Sequence, residues 1–321
     1  MDDSTKAIEE MGKNLETLHE QMERSGEDHI NVAGKVQKSN NEFVKAGKQL
    51  FNYAVIFRTM KKAMSEAIKT IIQMDSALTS LTVVTGKSRS EVQELIPQLR
   101  NLALQTGSTM TDVANLTAEY VRQGRTIADS ITLAEETAKA AQIAGISVSD
   151  SVQYMTSAIN GFNLSASDAS HVSDVFAALG AAAATNYEDV AIALSKVSAQ
   201  ANTAGMSIEY TSALLAKGLE VTQEAPESIG TALKTIIARM REITDYSDSL
   251  DMSSSINSVE SALKAVGVSL RDDSGQFRDL EDIFNELGPK WDTLNTMQQQ
   301  AVAQAVAGTR QQSRFLAIMQ D

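Results

Sequence analysis

The chain contains no cysteine, only three prolines, 5% aromatic residues and fewer basic than acidic residues. Without cysteine it cannot form disulfides, thiolate metal sites or a cysteine nucleophile. The 28 basic and 41 acidic residues give a formal charge of -13, which supplies no electrostatic attraction to nucleic-acid phosphates or anionic membranes. No apolar run reaches the roughly 18 residues that a membrane-spanning helix needs. We therefore expect no specific nucleic-acid binding and no membrane segment in this portion.

Alanine supplies much of the apolar content, with 42 copies among the 321 residues. Alanine is the best helix former and proline the worst, so the composition predicts an all-α fold with small side chains at the helix contacts. Strands are expected only in one small β-hairpin near residues 266–278, where two short apolar stretches flank the turn sequence Asp-Asp-Ser-Gly.

Residues 1–85 carry a heptad pattern, in which apolar residues recur in alternating steps of three and four. This pattern predicts an N-terminal helical arm that associates with other copies through its apolar seam. Two structures remain open, a long helix in a coiled coil or a hairpin folded back near Gly26 or Gly34. We expect copies to associate through the seam residues Leu15, Leu18, Leu50, Phe57 and Ile71.

From residue 86 onward, a repeated capping pattern predicts an array of short helices. A glycine is followed two residues later by Ser or Thr, and three residues after that by an acid, as in Gly86, Ser88 and Glu91. Glycine ends one helix in the left-handed conformation, the hydroxyl accepts a hydrogen bond from the next helix, and the acid favours that helix's positive end. The predicted helix-capping residues are Ser88, Thr109, Thr126, Ser147, Ser165, Thr185 and Ser207.

The second region, residues 86–321, divides further by composition. We expect the helix array over residues 86–244, a polar break over 245–255 and a C-terminal helical part over 256–321. In the last part, Asp279 is expected to begin a helix that the dipeptide Gly288-Pro289 ends.

Residues 126–230 contain twelve acidic and only three basic residues. Solvated helix faces explain this excess, and so does a surface that repels the phosphates of DNA or other acidic surfaces.

No set of residues has the spacing of a catalytic, cofactor or metal site. Residues 82–88 look like a phosphate loop, but Leu81 stands where the Walker A spacing requires glycine. The three histidines have no second ligand at a metal-site spacing. The aspartates of residues 245–251 lack the glycine and glutamate of a calcium-binding loop. We therefore expect a protein that is not an enzyme and that binds no cofactor or metal.

Seven short motifs occur in order along residues 50–321. They are MSEAIKTIIQMDSAL at 64–78, VVTG at 83–86, LALQTG at 102–107, TDV at 111–113, AGMSIE at 204–209, ESIGTALK at 227–234 and QQAVAQAVAGTR at 299–310. Their order resembles the conserved core of bacteriophage tail tape measure proteins. The most specific part of the resemblance is the closing triplet Gly308, Thr309 and Arg310.

The resemblance implies a structural protein that lies extended inside the phage tail tube. Such a protein sets tail length, scaffolds tube assembly and leaves ahead of the DNA at infection. It implies a homo-oligomer that contacts the tail tube protein and tail assembly chaperones, in the host cytoplasm during assembly and in the virion tail afterwards. Because family members are generally much longer, we expect this chain to be the first part of a longer protein.

A second hypothesis is a bacterial helical signalling or adaptor coiled-coil protein without catalytic activity. Chemoreceptor-like cytoplasmic rods share the abundance of Ala, Ser, Gln and Glu, but they keep heptads throughout. A continuous rod after residue 86 would favour the adaptor, and short packed helices would favour the phage protein.

Overall fold

A computed structural model describes residues 40–242 and 258–320, with side chains from residue 58 onward and at Val55. Contacts divide the chain into two units, Met1–Thr79 and Ser80–Asp321, and each is described by itself. The predicted hairpin positions Gly26 and Gly34 and the predicted polar break at 245–255 lie outside the described residues.

Most of the described residues are helical and none forms a β-strand, which confirms the all-α prediction. A single 3-10 turn, Ala166–Asp168, precedes α7. The helices are α1 Asn40–Thr85, α2 Arg89–Gln93, α3 Ile96–Thr106, α4 Met110–Arg122, α5 Ile127–Ala144, α6 Val148–Gly161, α7 Ala169–Ala182, α8 Tyr187–Ser195, α9 Ser198–Thr203, α10 Ile208–Thr222, α11 Pro226–Met240, α12 Ser258–Ala265, α13 Leu280–Trp291 and α14 Thr296–Ile318.

The predicted β-hairpin near residues 266–278 is reduced to a tight turn with one antiparallel bridge, between Arg271 and Phe277. The N–H of Asp272 donates to the carbonyl of Gln276 at 2.9 Å. The carboxylate of Asp272 accepts from the N–H of Ser274 at 2.9 Å, which satisfies the turn's own amides. The turn closes over so few residues that no strand develops.

Short helices that pack side by side build the second unit. Consecutive helices from α3 to α6 contact one another, and α8 contacts α6, α7, α10 and α11. The final helix α14 packs against α10, α11 and α12. Because each helix is short, its apolar stripe can be buried only against neighbours, so the core is shared by most of the unit.

Small residues allow a close contact between α8 and α11. A Cβ atom added to Gly230 in α11 would lie 2.2 Å from the carbonyl oxygen of Ala193 in α8. Ala193 is fully buried, as are Leu194 beside it and Leu233 one turn further along α11. Glycine and alanine therefore let the two backbones approach closely enough for the larger side chains to interdigitate.

The predicted end of a helix at Gly288-Pro289 is wrong, because α13 continues through both residues to Trp291. Proline at this point removes only one hydrogen bond, near the helix end. Trp291 is buried and its ring meets that of Phe315 edge-to-face, with centroids 5.6 Å apart. Packing of this aromatic pair keeps the last turn helical.

The close approach of α8 and α11 predicts that Gly230→Ala lowers the free energy of unfolding by about 1 to 3 kcal/mol, since overpacking forces the backbones apart. The measurement is urea unfolding followed by circular dichroism. Thr231→Ala, at the exposed neighbouring position of the same helix, is the matched control and should change stability by less than about 0.5 kcal/mol. Equal stability of the two variants would contradict the packing described.

Candidate functional site

Helix α1 carries a stripe of exposed apolar side chains along residues 60–74. Met60 is 54% exposed and Ile71 is 48% exposed, while Met64 and Met74 are half-buried. In the heptad register these four residues occupy the a and d positions, so they lie on one face of the helix. Ile72, which follows Ile71 in the sequence but occupies a b position outside the stripe, is 57% exposed. An apolar stripe of this length on a helix surface is typical of a helix that packs against another one.

Of the five predicted seam residues, only the side chain of Ile71 is described, and it lies in this stripe. Leu50 and Phe57 belong to α1, but their side chains lie outside the described part of the chain. Leu15 and Leu18 lie outside the described residues altogether.

The other face of α1 is basic. Arg58, Lys62 and Lys69 are exposed at the b and f positions of the heptad, away from the a and d stripe. Residues 40–79 contain six basic and three acidic residues, although the whole chain has a charge of -13. The helix is therefore amphipathic, with an apolar face for packing and a cationic face for water or an acidic partner.

In the second unit, hydroxyl side chains cap the helices α2, α4, α5 and α6. Ser88, Thr109, Thr126 and Ser147 each accept a hydrogen bond from the backbone N–H three residues later, at 3.1 to 3.3 Å. At Ser88 the bond is reciprocal, because Glu91 accepts from the Ser88 backbone N–H at 2.9 Å. The hydrogen bonds from the Ser88 backbone and hydroxyl lower the pKa of Glu91 to about 2.

Ser165 begins the 3-10 turn before α7 instead of an α-helix. Its backbone N–H and hydroxyl both donate to the carboxylate of Asp168, at 2.8 and 2.6 Å. The helix itself starts one residue after this acid, at Ala169.

The prediction that Thr185 is a helix cap is wrong, because Asn186 caps α8. The Asn186 side chain accepts from the N–H of Asp189 at 2.9 Å. Thr185 and Glu188 have the same spacing as Asn186 and Asp189, so the local sequence does not choose between them. Tyr187 decides the register, since as the first helical residue it is buried, with its ring 5.3 Å from that of Phe176.

The cap at Ser207 uses an acid from another helix. The Ser207 hydroxyl accepts from the N–H of Tyr210 at 3.2 Å, but Tyr210 stands where a capping box has its acid. Glu281 of α13 fills that role, accepting from the Ser207 backbone N–H at 2.7 Å. Burial, and then the nearby charge of Glu281, raise the pKa of Tyr210 to about 12. Sequence reasoning missed Glu281 because 74 residues separate it from Ser207.

One further contact holds α13 at this cap, and a second joins α10 to α7. The N–H of Leu280 donates to the carbonyl of Ala204 at 2.9 Å, which satisfies one of the free amides at the start of α13. Glu209, the acid that the sequence places one position early, contacts His171 of α7 at 2.5 Å instead. The turn 204–207 therefore joins α10 to α13, and the first turn of α10 contacts α7.

We predict that Glu281→Ala lowers the free energy of unfolding by about 1 to 2 kcal/mol, because the half-buried N–H of Ser207 loses a charged acceptor. Asp282→Ala is the matched control, as Asp282 lies in the same first helical turn but is exposed. Thermal unfolding of both variants at neutral pH measures the difference. If Asp282→Ala were as destabilising as Glu281→Ala, the effect would belong to the helix dipole and not to this cap.

The triplet Gly308, Thr309 and Arg310 lies at a break within α14. Gly308 has φ 65° and ψ 173°, which is not helical, while the residues on both sides are helical. Thr309 and Arg310 are exposed, whereas Val306 and Ala307 just before the break are buried.

A groove of 610 Å³ lies between α4 and α6, and eight polar and three apolar residues line it. Its two carboxylates already have partners. The Asp112 carboxylate accepts from the backbone N–H and the hydroxyl of Thr109, at 3.3 and 2.6 Å, and Glu119 pairs with Arg122 at 2.6 Å. Within residues 40–242 and 258–320, no cluster of three or more His, Asp or Glu side chains has the arrangement of a metal site. No helix in this part of the chain combines the length and apolar character needed to cross a membrane.

Residues 98–308 match the protein family described as phage-related minor tail protein. The chain is also 24% identical over 223 residues to the tape measure protein of Pneumococcus phage Dp-1. That alignment covers 69% of this chain but only 18% of the relative's length. No solved structure matches the chain.

Proposed function

Because this chain belongs to the phage-related minor tail protein family, we propose that it is the tape measure of a phage tail, or an N-terminal part of one. In this role it sets the length of the tail, scaffolds assembly of the tail tube and leaves ahead of the DNA at infection. The observation that carries the proposal is the family match over residues 98–308, together with the similarity to a protein named for this role.

The arm, residues 1–85, is the segment through which we propose that copies associate. Met60, Met64, Ile71 and Met74 leave an apolar stripe exposed along α1, and the heptad spacing keeps that stripe on one side of the helix. Packing the stripes of several copies together removes this surface from water. Arg58 and Lys69 then remain on the outside of the bundle, available to acidic surfaces of other tail proteins.

We propose that the core region, residues 86–321, acts as a packed scaffold and not as a rod. Helices of this region are short and packed, which favours the phage protein over the signalling or adaptor rod. Its acidic excess over residues 126–230 suits a protein that leaves the tail ahead of DNA without binding it. We propose that this region contacts the tail tube protein and tail assembly chaperones, in the host cytoplasm first and in the virion tail later. It acts without catalysis or cofactors.

The direct test is the tail length of phage that carry an altered arm. Deleting the four heptads at residues 44–71 removes 28 residues, so tails should shorten by about 42 Å if α1 runs along the tail. Cryo-electron microscopy of the virions measures the mean length. Replacing the same 28 residues by another heptad sequence of equal length is the control, and should restore the original length. Intact virions with tails of unchanged length after the deletion would refute the ruler function of this segment.

A further inference from the structure

The break in α14 turns the chain sharply back on itself. Across it, the side-chain amide of Gln312 donates to the side-chain oxygen of Gln300. In a continuous helix these residues would be about 18 Å apart along the axis, too far for two glutamine side chains to meet. The bend depends on Gly308, whose φ of 65° with ψ of 173° lies in a region that is essentially restricted to glycine.

Arg239 of α11 closes the open end of the first half of α14, residues 296–307. Its Nε and Nη2 atoms donate to the carbonyl oxygen of Ala305 at 3.2 and 3.0 Å. In a continuous helix, the N–H of Thr309 would donate to that same oxygen. The guanidinium therefore takes over a backbone hydrogen bond of the straight helix, and its charge also favours the negative end of the first half.

The second half, residues 309–318, is held by contacts of its own. Arg314 donates from Nε and Nη2 to the carboxylate of Glu224 at 2.9 and 2.5 Å. Phe315 is fully buried and lies between the rings of Trp291 and Phe284, with centroids 5.6 and 6.5 Å away. Tertiary contacts therefore stabilise the bent arrangement.

The local sequence favours the opposite arrangement. Residues 296–318 contain no proline and no glycine other than Gly308, and most are Ala, Gln, Arg and other good helix formers. A straight α14 would gain the helical hydrogen bonds that the break removes, and it would lose the Arg239 and Arg314 contacts and the burial of Phe315. Two arrangements of one segment, each with its own set of hydrogen bonds, meet the requirement for a two-state element.

We propose that α14 is a conformational switch that Arg239 latches in the bent form, and that release of the latch converts it into one straight helix. The bent and straight forms of α14 do not depend on what the protein does. The consequence of the switch rests on the proposed tape measure role, because an element that straightens gives the packed core region a first step towards an extended form in the tail.

The absence of cysteine permits a direct distance measurement in the purified chain. Met297 and Ser313 are exposed on the two halves, so Met297→Cys and Ser313→Cys accept spin labels without competing sites. In a straight helix their Cα atoms would be about 24 Å apart, and in the bent form they are closer. Electron paramagnetic resonance of the otherwise unaltered protein should give the short distance alone.

Two variants should shift this distance. Gly308→Ala disfavours the bent backbone, and Arg239→Gln removes the latch but leaves the glycine in place. We expect a new population centred near 24 Å, dominant in Gly308→Ala and partial in Arg239→Gln, with helical circular dichroism retained.

Gly145→Ala is the matched control, because Gly145 also has a positive φ, 67°, and open space around its Cβ position, but ends α5. It should destabilise the protein without changing the label distance. The short distance retained in both α14 variants, or a broad distribution with loss of helical signal, would overturn the proposal. Since the measurement is made without virions, its failure is distinguishable from failure of the tape measure function.

Discussion

Fixed helix ends are the constraint on which the second unit depends. Glycines with positive φ at residues 86, 107, 124, 145 and 205 end one segment, and a hydroxyl two residues later begins the next. The short helices between these ends cannot bury their apolar stripes alone, so they must pack against one another. Alanine and glycine at the contacts let them pack closely. In α1 the same constraint is absent between Gly47 and Gly86, and the helix runs for 46 residues with apolar side chains still exposed.

Features encoded by near neighbours could be predicted from the sequence. The caps at Ser88 and Thr109 need only a hydroxyl and an acid three residues apart, and composition alone indicated an all-α fold. Features set by distant packing could not be predicted. Burial of Tyr187 moves the N-terminal cap of α8 from Thr185 to Asn186, and burial of Trp291 extends α13 past a glycine and a proline.

The same distinction applies to the acids and cations that join distant elements. Nothing near Ser207 in the sequence indicates that Glu281 completes its cap, and nothing near Gly308 indicates that Arg239 meets the broken end of α14. Both partners come from helices that the stack brings together, and both bind free backbone groups at helix ends. The capping pattern thus defines the ends that need partners, and tertiary structure supplies those that the local sequence lacks.

The two units therefore differ in how much of their apolar surface they bury. The core region buries most of its apolar side chains, with Leu104, Ile143 and Met297 exposed singly along the sequence, whereas α1 exposes the stripe from Met60 to Met74, which we assign to contacts between copies. Hydrogen exchange of the purified full chain at increasing protein concentration tests this assignment most directly. We expect the amides of residues 60–74 to gain protection as concentration rises, while those of α8 and α11 stay equally protected throughout. Protection of residues 60–74 that does not depend on concentration would contradict self-association through the arm.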